Sequence, residues 1–347
     1  MPGRSATKGL SPWAWTGGAL LVMLILSAGI GSVTIPPLTV VGMVLDRLPG
    51  IDLAVSWPAT YTTILFEIRL PHAVLMALTG MALGGSGAAY QGLFRNSLAD
   101  PYILGVASGA GLGAVLAMTV SWPTTLLGMA AVPVAAFLGA ILTVALVYSI
   151  ARVGRSAPVT TLLLAGVAVG TFMSAVTSLL MLFSTSELYR AISWLFGGFS
   201  LGGWKPVLAA LPYLAVGLAV LTLLGRPLNV LQFGDEEALQ LGLDAEKFKL
   251  VVVVAASLVA ATAVAFSGII GFVGLIVPHL ARIVWGFDYR RMLPLATIGG
   301  AAVLLAADIV GRTILAPRAL PVGIVTSAVG APFFLWLLRR AKGEVFW

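Results

Sequence analysis

From Pro101 to Ala151 the chain runs for 51 residues without one charged side chain. No soluble fold hides such a stretch, whereas a hydrocarbon slab about 30 Å thick takes about 20 apolar residues per helical crossing. The run therefore predicts two crossings, and Ser121-Trp122-Pro123 supplies the break between them, with an aromatic suited to the interface. The rest of the chain agrees. Of 347 residues 59% are hydrophobic, mean hydropathy is +1.04, and only 20 Lys plus Arg and 13 Asp plus Glu are present. A soluble domain is about a quarter charged. The solvent of this chain is lipid, and its fold class is an all-α transmembrane bundle.

Charged residues and Pro/Gly breaks divide the chain into ten segments, at 13–35, 70–93, 101–120, 125–150, 160–183, 206–225, 250–267, 269–287, 292–311 and 320–338. No stretch is left for a separate soluble domain, so 1–347 is read as one transmembrane unit. Arg4 and Lys8 before the first segment resemble a signal peptide, but nine further apolar segments make it a retained span. Assigning loops alternately to the two sides puts fourteen of the 20 basic residues on the side of both termini, which predicts that both termini are cytoplasmic. The pI near 10.0 thus reflects topology; the basic residues form no face or run suited to nucleic acid. The absence of cysteine removes disulfides, thiolate metal sites and Cys nucleophiles.

Forty glycines are present, many within the apolar segments, as at Gly80, Gly84, Gly85 and Gly87 or Gly105, Gly109, Gly111 and Gly113. Small residues at such spacing let helix backbones approach closely in lipid. A weak internal repeat pairs SGAAYQGL (86–93) with SGIIGFVGL (267–275). Three segments fall between crossings. Residues 36–69 are expected as an external loop, 187–205 as a short helix at or dipping into the outer face, and 227–249 as a cytoplasmic loop holding five of the 13 acids.

Catalysis would need converging ionisable groups. The only histidines, His72 and His279, have no metal-binding spacing, and no Gly-x-x-x-x-Gly-Lys-Ser/Thr loop is present, so neither a metal site nor a catalytic site nor a nucleotide site is expected in this chain. His279 reads as a packed or hydrogen-bonded side chain. Asp308 is the one acid near a span's membrane region, with Arg312 four residues on as a helix-end partner. An ion-gradient-driven secondary transporter, the alternative to an ATP-driven one, would need more such buried acids.

Residues 67–113 (EIRLPHAVLM…ASGAGLG), 268–312 (GIIGFVGLIVPHLAR…DIVGR) and 320–338 (LPVGIVTSAVGAPFFLWLL) resemble, in order and spacing, the iron-chelate and vitamin B12 permease family of bacterial ABC importers, and the likeness extends over 13–342. The resemblance implies the ten-helix permease fold of the vitamin B12 importer, a homodimer around a central path in the bacterial inner membrane. It also implies two cytoplasmic ATPase subunits that bind ATP and Mg, and an external solute-binding protein. It makes 227–249 the coupling segment, with Glu236, Glu237, Ala238, Leu241, Gly242 and Leu243 as its ATPase-coupling residues. It makes Arg69 and Arg312 docking points for carboxylates of the binding protein. His72 stands where the family more often has a second arginine, which either removes a docking contact or makes it pH-sensitive. The cytoplasmic gate maps to Asn96 and Leu98, with Ser97 in place of the usual proline, and to Thr160 and Thr161. The cargo implied is a metal chelate, ferric siderophore ahead of cobalamin and haem.

Overall fold

The computed structural model describes residues 11–341 except 52, 54, 121–125, 155, 184–186 and 199–201. Arg4, Lys8 and the Ser121-Trp122-Pro123 break lie outside the described residues. Fifteen α-helices follow one another: α1 (Pro12–Gly29), α2 (Pro37–Asp46), α3 (Ala59–Thr63), α4 (Leu70–Leu93), α5 (Val106–Met118), α6 (Leu126–Ala151), α7 (Val159–Phe183), α8 (Leu188–Leu195), α9 (Trp204–Leu223), α10 (Gly225–Leu231), α11 (Asp235–Gln240), α12 (Ala245–Ser267), α13 (Val273–Trp285), α14 (Tyr289–Thr313) and α15 (Val322–Ala341). No strand occurs among the described residues. Helices are what lipid permits, because each must satisfy its own backbone where no water can.

The ten expected segments are occupied by α1, α4, α5, α6, α7, α9 and α12 to α15, a ten-helix transmembrane bundle. Seven of these helices are long and apolar enough to cross by themselves. Helices α5 and α13, of 13 residues each, span only about 20 Å. Each follows a non-helical stretch, 94–105 and 268–272, and Tyr102 knits the two together. Its hydroxyl donates to Ile270 O at 3.0 Å and accepts from Ile270 N at 3.3 Å. Irregular backbone at membrane depth is tolerated where protein covers it in this way.

At the centre stands α4, packed on α14, α12, α13 and α9. Its glycines are the reason it can be there. A Cβ on Gly80 or Gly84 would strike the carbonyls of Gly300 and Ala296 in α14, and one on Gly87 that of Gly274 in α13. Helices α5 and α6 repeat the device with Gly109 and Gly113 against Gly139 and Ala135. Such small-xxx-small crossings replace the hydrophobic drive that lipid does not provide. The sequence pair 86–93 and 267–275 is not a structural repeat: the first is the last two turns of α4, the second runs from the end of α12 across the break into α13.

The external loop expected over 36–69 is corrected. It holds α2 and α3, and a π-helical turn, Ile64–Arg69, continues α3 into α4, making 35 helical residues from Ala59 to Leu93. Pro37 starts α2 at a position where a missing N–H costs nothing. Asp46 then pins the following chain by accepting from Leu53 N at 3.0 Å and Trp57 Nε1 at 3.3 Å. Ile35, Val40, Met43, Leu65 and Ala28 bury each other in a satellite core. In the 187–205 segment α8 buries Trp194 and leaves Tyr189 exposed.

Replacing Gly84 by leucine should lower the stability of the detergent-solubilised protein by about 3 kcal/mol or more through overpacking. Gly17→Leu, where an added Cβ meets nothing within 4 Å, should leave it unchanged; thermal unfolding followed by tryptophan fluorescence compares the two.

Candidate functional site

Helices α4 and α14 each run the height of the bundle, so both ends of the molecule are wired to the same two rods. The 24 residues of α4 cover about 36 Å. At one end sit Arg69, His72, Asp308 and Arg312; at the other, α10 and α11.

At the first end α1 stops at Gly29, leaving carbonyls that point out of its last turn without helical partners. Two guanidinium groups meet this negative end of the helix dipole. Arg69 donates from Nη1 to Ala28 O at 3.1 Å and Gly29 O at 2.7 Å, and from Nη2 to Val33 O. Arg312 donates to Ser27 Oγ at 2.8 Å, Ser27 O at 3.2 Å and Ile30 O at 3.3 Å. Asp308, 5% exposed, lies 2.8 Å from Arg312 Nη2 through Oδ2 and 2.9 Å from His72 Nε2 through Oδ1. The cluster joins α1, α4 and α14. The sequence places Arg69 on an outer surface; the structure buries it, because the carbonyls of the α1 turn take its donors. His72 and Arg312 keep part of their side chains at the surface. His279 lies half-buried in α13 with Nδ1 unpartnered.

The other end is built around the stop of α11. Gly242 adopts φ +81°, Gly242 N donates to Leu239 O and Leu243 N to Ala238 O, each at 2.9 Å. This is the Schellman arrangement, in which glycine takes the left-handed position that a Cβ would strain. The Ala-x-x-Leu-Gly pattern is thus a helix terminator. Ala238 is fully buried and the half-buried Leu243 packs on the core, so these two anchor the segment to the bundle. Glu236, Glu237 and Gly242 are exposed. Around them Phe233, Leu239 and Leu241 are 73%, 68% and 69% exposed. Phe233 and Leu239 are absent from the expected site; their signal is apolar side chains amid the acids of an otherwise polar stretch.

Anchors hold this end to the rods. Asn229 of α10 donates to Asp288 Oδ1 at 2.6 Å and accepts from Tyr289 N at 2.8 Å, at the start of α14. Arg282 bridges Gln91 of α4 and Tyr289 at 3.1 Å each. The gate residues flank the same end. Asn96 follows α4 in a turn closed by Asn96 N to Gln91 O at 3.2 Å and Leu98 N to Asn96 Oδ1 at 2.9 Å, so Ser97 needs no proline to hold it. Asn96, Leu98 and Thr160 are exposed, and Thr161 Oγ1 donates back to Pro158 O at 2.8 Å. No hydrogen bond joins the Asn96 turn to Thr160 or Thr161 among the described residues.

The model of the FecCD transport family matches residues 19–340. A Halobacterium salinarum cobalamin import system permease protein, BtuC, is 43% identical and aligns over 97% of this chain and 98% of its own. An uncharacterised ABC transporter permease protein of Bacillus subtilis, YvrB, is 41% identical over 93% and 92%, and the hemin transport system permease protein HmuU of Yersinia pestis 39% over 80% and 84%. A solved inward-facing conformation of a putative metal-chelate type ABC transporter superimposes with a TM-score of 0.78 at 30% identity, covering 94% of this chain and 98% of that one.

Removing one member of a buried ion pair costs about 3–5 kcal/mol. Arg312→Met and Asp308→Asn should each destabilise on that scale, and the double variant by less than the sum, the shortfall being about 1–3 kcal/mol in a double-mutant cycle. At the other end the amide donated by Asn229 holds Asp288 below the usual carboxylate range. The anchor is therefore complete above about pH 4, near the unfolded value, and is lost as pH falls through the lowered native one. Amide protection over 225–240, taken relative to the intrinsic exchange rate at each pH, should drop below that pH, and already at pH 7 in Asp288→Ala.

Proposed function

Because this chain belongs to the FecCD transport family, we propose that it is the permease subunit of an ATP-driven importer of a metal chelate, working as a homodimer with two ATPase subunits docked on α11. The observation that carries this reading is the exposed surface of Phe233, Leu239 and Leu241 beside Glu236 and Glu237. Large apolar side chains rimmed by acids on a short helix, itself fixed to the bundle, suit the groove of a partner that moves as a unit. With no nucleotide loop of its own, the chain takes its energy from the partner, whose ATP and Mg stay outside this subunit.

In this reading α11 faces the cytoplasm of a bacterial cell, both termini lie on that side of the inner membrane, and the Arg69, His72 and Arg312 end receives an external solute-binding protein. Arg312 and His72 form the accessible rim, while Arg69 supports them from beneath. The cargo is a bulky chelate or macrocycle, ferric siderophore first and cobalamin or haem next, a class supported by the names of the relatives. Asn96, Leu98 and Thr160, exposed on one protomer, and the half-buried Thr161 close the path against a second copy. The ion-gradient alternative is not favoured: of the two acids most withdrawn from solvent among the described residues, Asp308 has both oxygens paired and Asp100 is held in its turn by Tyr102 N at 2.8 Å.

Co-purification tests the reading. Tagged protein should retain an ATP-hydrolysing subunit. Gly242→Val, which forces a side chain into φ +81°, should lose most of it or leave hydrolysis unconnected to uptake, as should Leu241→Glu. Retention of full uptake in both variants, or uptake driven by an ion gradient with no ATPase present, overturns it.

A further inference from the structure

Lys249 is a lysine in the second turn of α12, 3% exposed, in a place where neither lipid nor the positive end of the helix dipole favours a cation. Its ammonium sits 2.5 Å from Asp235 Oδ2 and 3.0 Å from Glu246 Oε1. Asp235 is the first residue of α11 and Glu246 belongs to the first turn of α12. Neither carboxylate ends there. Glu246 Oε2 accepts from Ala157 N at 3.0 Å, two residues before α7 begins and three before Thr160. Asp235 Oδ1 faces Arg95 Nη2 at 3.7 Å, and Arg95 adjoins Asn96 in the turn after α4.

Two features say that this chain of charges is more than packing. Arg95 takes φ +51° at the left-handed position of a Schellman stop, with Arg95 N to Gly92 O at 3.3 Å, where glycine would cost less. That strained backbone aims its guanidinium at Asp235. Asp235 Oδ1 is itself buried with no hydrogen-bond partner, and 3.7 Å falls short of one. One link is therefore open in this state, and an approach of less than 1 Å would close it. Buried ion groups are poor stabilisers compared with apolar packing; their best-attested use is to fix register between elements or to switch it.

We propose that Lys249, with Asp235 and Glu246 as its two arms, is the relay that carries movement of α11 to both gate segments, through Arg95 to the turn at Asn96 and through Ala157 to the start of α7. Lys249 is a positioning residue, and the proposal rests on the ATP-driven reading above. Movement of α11 drags the Asp235 carboxylate. Lys249 transmits the pull to Glu246, which holds the chain entering α7, while the Arg95 link closes or opens with it. Without the ammonium the two carboxylates would repel, and α11 would move free of the gate.

The chain has no cysteine, so one introduced cysteine is the single labelling site on it. Val153→Cys and Ser97→Cys, one at a time, are labelled in the complex with the ATPase subunits that co-purify, placed in lipid nanodiscs. The distance between the two copies of each label is measured by pulsed electron paramagnetic resonance, without nucleotide and after trapping with ATP and vanadate. Trapping should shift both distances. In Lys249→Met the trapped population should fall about tenfold, within the range of ordinary coupling energies, while ATPase subunits stay bound and hydrolyse ATP at the parent rate. Lys249→Arg, which keeps a cation between Asp235 and Glu246, should retain the shift. Asp235→Asn, which removes one charge and keeps the shape, serves if Lys249→Met fails to assemble, and should weaken both shifts. Unaltered shifts in Lys249→Met or Asp235→Asn overturn the relay, as does loss of the ATPase subunit from a folded variant, which would make the cluster an assembly contact. A parent protein that binds no ATPase, or whose distances ignore nucleotide, instead removes the functional reading and the relay with it.

Discussion

In hydrocarbon, helices gain nothing by turning apolar faces toward each other, since lipid is as apolar as leucine. What holds this bundle is contact between backbones. Gly80 and Gly84 against Gly300 and Ala296 bring α4 and α14 to the distance at which carbonyls of one helix touch α-carbons of the other. Gly87 does the same with Gly274, and Gly109 and Gly113 with the α6 backbone. Dispersion across such crossings is dense and has no slack. The centre of the molecule is therefore stiff, and what can move is confined to its ends.

The two ends are built on opposite principles. Where α1 stops, two arginines and one buried carboxylate neutralise a helix terminus, with almost every donor and acceptor used. Where α11 stops, the backbone satisfies itself through the Gly242 turn, and phenylalanine and leucine side chains are left outside. The first arrangement rigidifies; the second presents a surface. Helices α4 and α14 join them, so a load applied at one end meets continuous rods leading to the other. Beside the buried Ala238, charged links tie α11 to α12 and to the turn after α4, and charges hold a register that apolar contacts would let slide.

Much of this was legible from residue order. Uncharged runs, prolines and glycines mark the ten apolar helices of the bundle, because the bilayer imposes one type of backbone on any chain. The pairing of Asp308 with Arg312 follows from helical spacing. Other features were not. Residues 36–69 look like a loop, yet α2, α3 and a π-helical turn form there, because Asp46 and a five-residue satellite core supply order that no local pattern announces. Ala238, legible only as part of a coupling pattern, is buried and anchors its segment, because its neighbours in space come from distant parts of the chain.

The sequence by itself determined the solvent, the helices, the likeness to a transport family and the polar segment where a partner would be sought, since these depend on composition, period and local backbone preference. Only the tertiary structure decided which charges meet. Arg69 turned inward to α1, Lys249 on Asp235, and Glu246 on the chain entering α7 bring together residues 14 to 89 positions apart. Electrostatic partners are chosen by distance in space, and no period along the chain encodes that distance.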